Sequence, residues 1–147
     1  MPGASSGACG ESPVIGKRCV VKYRTLGRTG FLVSEVGFGT WGIGGGWGRK
    51  DDVEADLALR RAQELGVNFF DTALVYGNGH SEQLLGWAVK GNRDKVYLAT
   101  KVPPKNYRWP VSPEMSLKDT FSPEWILQCV ERSLPVQAIA ERIGKQA

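Results

Sequence analysis

The chain has 147 residues, 41% of them hydrophobic and 23% charged, proportions that fit one soluble domain with a core and exclude a disordered or membrane-spanning chain. Its net charge of +4 is scattered, with no run of Lys and Arg, so neither a nucleic-acid nor a membrane partner is expected. The three cysteines, Cys9, Cys19 and Cys129, have no metal or redox spacing and read as reduced thiols of a cytoplasmic protein without a signal peptide.

Residues 1–21 are rich in Gly, Ser, Ala and Pro and read as a flexible tail. Tyr23 to Leu26 and Phe31 to Ser34, joined through Gly27-Arg28-Thr29-Gly30, predict a β-hairpin. Glu35 to Gly39 is a short apolar strand. A Gly-rich loop leads to Asp51, which with Glu54 makes a helix start of capping-box type. Leu57, Ala58, Ala62 and Leu65 predict that helix's apolar stripe, and Gly66 its end.

Val67 to Asp71 is the next strand. Ser81 is placed to cap a second helix with the stripe Leu84, Leu85, Ala88 and Val89, ending at Gly91. Lys95 to Thr100 is a further strand, and Pro103 to about Phe121 a long loop. Ser122-Pro123-Glu124 opens a third helix, with Ile126, Leu127, Val130 and Leu134 expected on its buried face. The alternation of strand and helix predicts parallel βα units in an α/β fold. Beyond Leu134 the rhythm breaks, and residues 135–147 read as a separate short helical segment after a domain at 22–134.

Gly37-Phe38-Gly39-Thr40-Trp41-Gly42 matches G-x-G-x-x-G, a weak fingerprint on its own. A dinucleotide-binding loop needs a helix that opens directly on Gly42. The chain instead continues through Ile43-Gly44-Gly45-Gly46-Trp47-Gly48, so a mobile surface loop is the plainer reading for Gly44 to Gly48, though less so for Thr40 and Trp41 at the strand's end. Trp41, Trp47 and Trp109 are candidates either for a pocket wall or for simple packing.

Polar residues stand where the apolar strands finish. Asp71 closes one, Lys101 follows another, and Tyr76 lies in the loop after Asp71. Sites in α/β folds gather at the C-terminal ends of strands. A free phenol, with an ordinary pKa of about 10, is a poor proton donor at neutral pH. An ammonium beside it favours the phenolate, and a carboxylate holds that ammonium charged and in place. Asp, Lys and Tyr together therefore suit general-acid donation to a carbonyl oxygen. On spacing alone, a structural Asp–Lys pair with a packed Tyr fits equally well.

Three stretches bring in a family. LGRTGFLVSEVGFGTWGIGG, NFFDTALVYGNGHSEQLLG and KVYLATKV resemble, in order, the first three strands of the aldo-keto reductases, across roughly Tyr23 to Leu134. The resemblance implies a (β/α)8 barrel that reduces a small carbonyl substrate with NADPH and uses no metal. It implies catalytic roles for Asp71, Tyr76 and Lys101. It also implies cofactor contacts near Gly39, Thr40, Trp41 and Asp71.

The same resemblance implies a fourth strand carrying a catalytic His, and this chain has neither. Its only histidine, His80, reads as a solvated loop residue. A barrel takes about 250 residues, so a partial barrel of about three βα units is expected, the middle of a parental sequence being absent. Its open sheet edges would favour self-association, and its cofactor contacts would be reduced to the nicotinamide end. The expected function is an impaired, truncated NADPH-dependent oxidoreductase; the alternative is a non-catalytic fragment or interaction module of the same fold.

Overall fold

The computed structural model describes residues 21–46, 48 and 51–142, with the side chains of 135–142 left out of the description. The tail expected at 1–21, together with Cys9, Cys19 and Trp47, falls outside it apart from residue 21. Among the described residues five strands form: β1 (Tyr23–Thr25), β2 (Leu32–Ser34), β3 (Phe38–Gly39), β4 (Phe69–Asp71) and β5 (Tyr97–Ala99). The α-helices are α1 (Asp52–Glu64), α2 (His80–Ala88), α3 (Leu117–Thr120) and α4 (Pro123–Arg142), with short helical turns at Gly42–Gly46 and Arg93–Lys95. β1 and β2 are the antiparallel hairpin, while β3, β4 and β5 make a parallel sheet in that order. The expected α/β architecture is present as an open piece of a barrel, with β3 and β5 as its edges.

The parallel register decides which side chains share a face. Phe38, Phe70 and Leu98 stand opposite one another, so they point the same way, towards the helices. There they meet Leu59 of α1 and Leu84, Leu85, Ala88 and Val89 of α2 in the core. Leu59, Phe70 and Val89 have no exposed surface, and burial of side chains of this size contributes about 1.5–3 kcal/mol each. Gly39, Asp71 and Ala99 share the opposite face. At its lower end the hairpin covers that face, with Phe31 stacked on Tyr97 at 4.7 Å between ring centres. Asn68 ties hairpin to sheet: its Oδ1 accepts from the Ser34 N–H at 2.7 Å, and its Nδ2 donates to the Leu32 carbonyl at 2.9 Å.

Several expectations need correction. α1 is capped by Asp51, whose side chain accepts from the Val53 and Glu54 N–H groups, but its buried residues are Ala55, Leu59 and Ala62. Leu57 and Leu65 are exposed. The helix is apolar on two flanks, and only the flank that meets α2 is covered. Likewise Ile126, Leu127, Val130 and Leu134 of α4 face outwards, while Cys129 and Ser133 are buried. α2 is preceded by Gly79 rather than capped by Ser81, which lies buried inside the first turn. Within the long loop, Ser116 accepts from the Lys118 N–H and starts the short α3. The segment expected to be separate from 135 is continuous with α4 as far as Arg142. No helix among the described residues is long and apolar enough to cross a membrane.

Candidate active site

Asp71 is the last residue of β4, and Lys101 lies two residues beyond the end of β5. Because Asp71 stands opposite Ala99 in the parallel register, the two side chains leave neighbouring strands at the same rim. Lys101 Nζ is 2.8 Å from each carboxylate oxygen of Asp71, 2.9 Å from the Thr72 carbonyl and 3.4 Å from the Tyr76 hydroxyl. An ammonium has three N–H donors. One each for Asp71, Thr72 and Tyr76 uses all three and fixes the side chain's direction. Nζ is 5.1 Å from the Tyr76 ring centre, so it lies towards the hydroxyl end of the ring. The three residues expected from the sequence therefore converge.

Lys101 and Asp71 keep 49% and 42% of their side-chain surface exposed. Water screens such a pair, and its contribution to stability is at most about 1 kcal/mol. The rim is thus a weak brace for the fold and an accessible cluster for a ligand.

The Gly-rich segment positions Tyr76. Gly42–Gly46 forms a single π-helical turn broken at Gly45, where φ is 91°, and no α-helix opens on Gly42. This removes the dinucleotide-loop reading. It also corrects the mobile-loop reading, because Gly44 is buried against Tyr76. A Cβ at Gly44 would come within 2.7 Å of the Tyr76 carbonyl carbon, so only glycine admits this approach. At the turn's far end Gly46 lies on the Trp41 indole.

The candidate cofactor contacts divide. Gly39 pairs with Asp71 at the sheet's end, and a Cβ there would meet nothing within 4 Å. Trp41 is half exposed at the rim. Thr40 is fully buried, and its hydroxyl donates to the Asp71 carbonyl at 3.0 Å, so its side chain braces the rim rather than facing a ligand. Trp109 is 78% exposed and takes no part. His80, expected as a solvated loop residue, begins α2 and has Nε2 2.9 Å from Asp52 Oδ1. A cavity of about 450 Å³ lined by Tyr23, Gln63, Asn68 and Lys95 lies at the N-terminal ends of the strands, away from the rim. Sequence reasoning missed Thr72, whose carbonyl takes the third Lys101 hydrogen. A threonine does follow each of β3, β4 and β5 directly, a signal for side-chain bonds at the strand ends and not for that carbonyl.

Compared with known families, residues 35–137 match the aldo/keto reductase family. Among individual relatives, "Aldo-keto reductase YhdN" of Bacillus subtilis is 43% identical over 84 residues, covering 55% of this chain and 25% of its own length. A "Probable voltage-gated potassium channel subunit beta" of Oryza sativa subsp. japonica is 38% identical over 86 residues, covering 56% of this chain and 25% of its own. Among solved structures, the holo form of aldo-keto reductase AKR11C1 from Bacillus halodurans superposes with a TM-score of 0.63 at 32% identity, across 80% of this chain and 36% of that one. The chain spans about a quarter of the length of the curated relatives it matches.

Proposed function

Because the chain belongs to the aldo/keto reductase family, its residues 35–137 matching that family, we propose that it carries the acid–base part of an NADPH-dependent reduction of aldehydes or ketones. The observation that carries this reading is the single ammonium of Lys101 in contact with Asp71, Thr72 and Tyr76 together. The residues fit the reactive end of a nicotinamide cofactor: Asp71 and Trp41 are exposed at the rim beside Gly39, which presents no side chain. NADPH, when bound, supplies the hydride. Tyr76 donates its hydroxyl proton to the carbonyl oxygen of the substrate. Lys101 stabilises the negative charge left on the phenol oxygen, and Asp71 holds Lys101 in place.

The chain spans about a quarter of its relatives' length, so most contacts to the phosphate-bearing remainder of the cofactor are expected to be missing and affinity to be weak. Saturation with NADPH at micromolar concentration, followed by nucleotide fluorescence, would contradict that expectation. Turnover of a generic aldehyde by the chain and by Tyr76→Phe tests the chemistry. A positioned general acid contributes on the order of 10² to 10⁴ in rate, and a loss of that size in Tyr76→Phe is expected. Equal rates would overturn the proposal.

A second reading, a non-catalytic fragment or interaction module of the same fold, has one observation in its favour. The apolar face of α4 at Ile126, Leu127, Val130 and Leu134 is exposed, as expected of a surface made to be covered. Absence of turnover in both proteins would favour it.

A further inference from the structure

The first turn of α2 lies directly under the rim and reaches the residue that follows each parallel strand. Ser81 is fully buried. Its hydroxyl oxygen is 2.7 Å from Thr40 Oγ1, 3.1 Å from the Thr40 carbonyl and 3.1 Å from Thr72 Oγ1. Each hydroxyl carries one hydrogen. Thr40 donates its own to the Asp71 carbonyl, and Ser81 donates to Thr40. The remaining bond must then run from Thr72 to Ser81. Glu82, the next residue and also fully buried, accepts from Thr100 Oγ1 at 2.7 Å. The Ser81 N–H in turn donates to the Tyr76 carbonyl at 3.2 Å.

Two adjacent side chains on one helix thus hold Thr40, Thr72 and Thr100, each adjacent in sequence to a rim residue: Trp41, Asp71 and Lys101. Stability alone does not account for them. Leu84, Leu85, Ala88 and Val89 of α2 already pack in the core. The Glu82 Oε2 is buried with no hydrogen-bond partner among the described residues, an arrangement that costs stability. What hydrogen bonds add over apolar contacts is direction. They set where three strand ends stop relative to one another, and a site of this kind needs its groups held to about 0.5 Å.

We infer that Ser81 and Glu82 are positioning residues for the Asp71–Tyr76–Lys101 cluster, acting through the threonines at the three strand ends. This rests on the proposed role of that cluster, so the test reads geometry and not turnover. In the full 147-residue chain, carrying lysine labelled with ¹³C at the ε-position, the nuclear Overhauser effect from the Lys101 ε-methylene to the Tyr76 ring protons reports their separation. It falls with the inverse sixth power of distance, so an added separation of about 0.5 Å roughly halves it.

Ser81→Ala is expected to reduce the signal by about half or more. Thr72→Val, which removes one hydroxyl at nearly constant volume, is expected to do the same and decides the matter if Ser81→Ala does not fold. Thr120→Val is the control. It removes a buried hydroxyl that donates to the Ser116 carbonyl and makes no hydrogen bond to Thr40, Thr72 or Thr100, and it should lower the melting temperature without changing the signal. Signals in the Ser81 and Thr72 variants equal to that of the control would overturn the inference while leaving the contact itself intact. No signal in the unaltered chain would instead remove the cluster, and the inference with it.

Discussion

Lys101 has three hydrogens and three separate acceptors within reach, and this matching is the most informative fact at the scale of single residues. The pair with Asp71 is too exposed to brace the fold. Lys101→Met is therefore expected to change unfolding free energy by no more than about 1 kcal/mol while slowing carbonyl reduction by about 10² or more. Denaturant titration and turnover on the same sample check both halves, and a large loss of stability would return the pair to a structural role. Cys129 behaves in the opposite manner. Burial pushes its thiol above the ordinary range, Arg132 opposing the shift and Glu82 reinforcing it. A buried, neutral thiol is inert. Alkylation of Cys129, followed by peptide mapping, is expected to be slow in the native chain and fast in urea; equal rates would contradict its burial. Asp71, Tyr76 and Lys101 were legible because polar residues at the ends of apolar strands stand out. The Lys101–Thr72 contact was not, since a backbone carbonyl has no sequence signature.

At the scale of elements, helix existence followed from caps and glycines, whereas helix orientation did not. Asp51 at α1 and Ser122-Pro123 at α4 mark their starts because side-chain oxygens satisfy free N–H groups there. The buried faces were misjudged for one physical reason. α1 carries two apolar flanks, α4 buries Cys129 and Ser133 while its larger apolar side chains stay exposed, and which side is covered depends on neighbours distant in sequence. α2 was read correctly because its stripe, Leu84, Leu85, Ala88 and Val89, meets the sheet whatever else is present. Phe70→Ala, at the centre of that packing, should cost about 3–5 kcal/mol, measured by denaturant midpoint; a smaller loss would mean that the sheet and helices are loosely joined. The start of α4 also predicts a pH effect. The Glu124 backbone N–H, then the Ser122 hydroxyl and Lys105, hold its carboxyl below the ordinary 4.5. A lowered carboxyl contributes stability above that value and loses it as pH falls through the lowered one. The stability difference between the native chain and Glu124→Gln should be present at neutral pH and vanish in acid; a difference that persisted there would rule out the charge as its source.

For the molecule as a whole, among the described residues, the parallel sheet has three strands and two open edges, and the apolar stripe of α4 has no cover. Open edges and exposed apolar stripes favour association. Sedimentation equilibrium is expected to show an average mass that rises with concentration and falls back in the double variant Leu127→Lys/Val130→Lys. A mass independent of concentration would contradict this. The parallel βα units were legible from the strand–helix rhythm, and the partial barrel from the family resemblance taken together with the chain's length. The surface it leaves open was not, because the α4 stripe reads from sequence as core. The central claim is that a quarter of its relatives' length still brings an acid, its ammonium partner and a carboxylate into one working unit. Groups that act as a unit do not contribute independently. Turnover of an aldehyde should be compared for Tyr76→Phe, Lys101→Met and the two combined. The account expects the combined variant to be no slower than the slower single one; losses that multiply, or single variants as fast as the native chain, would contradict it.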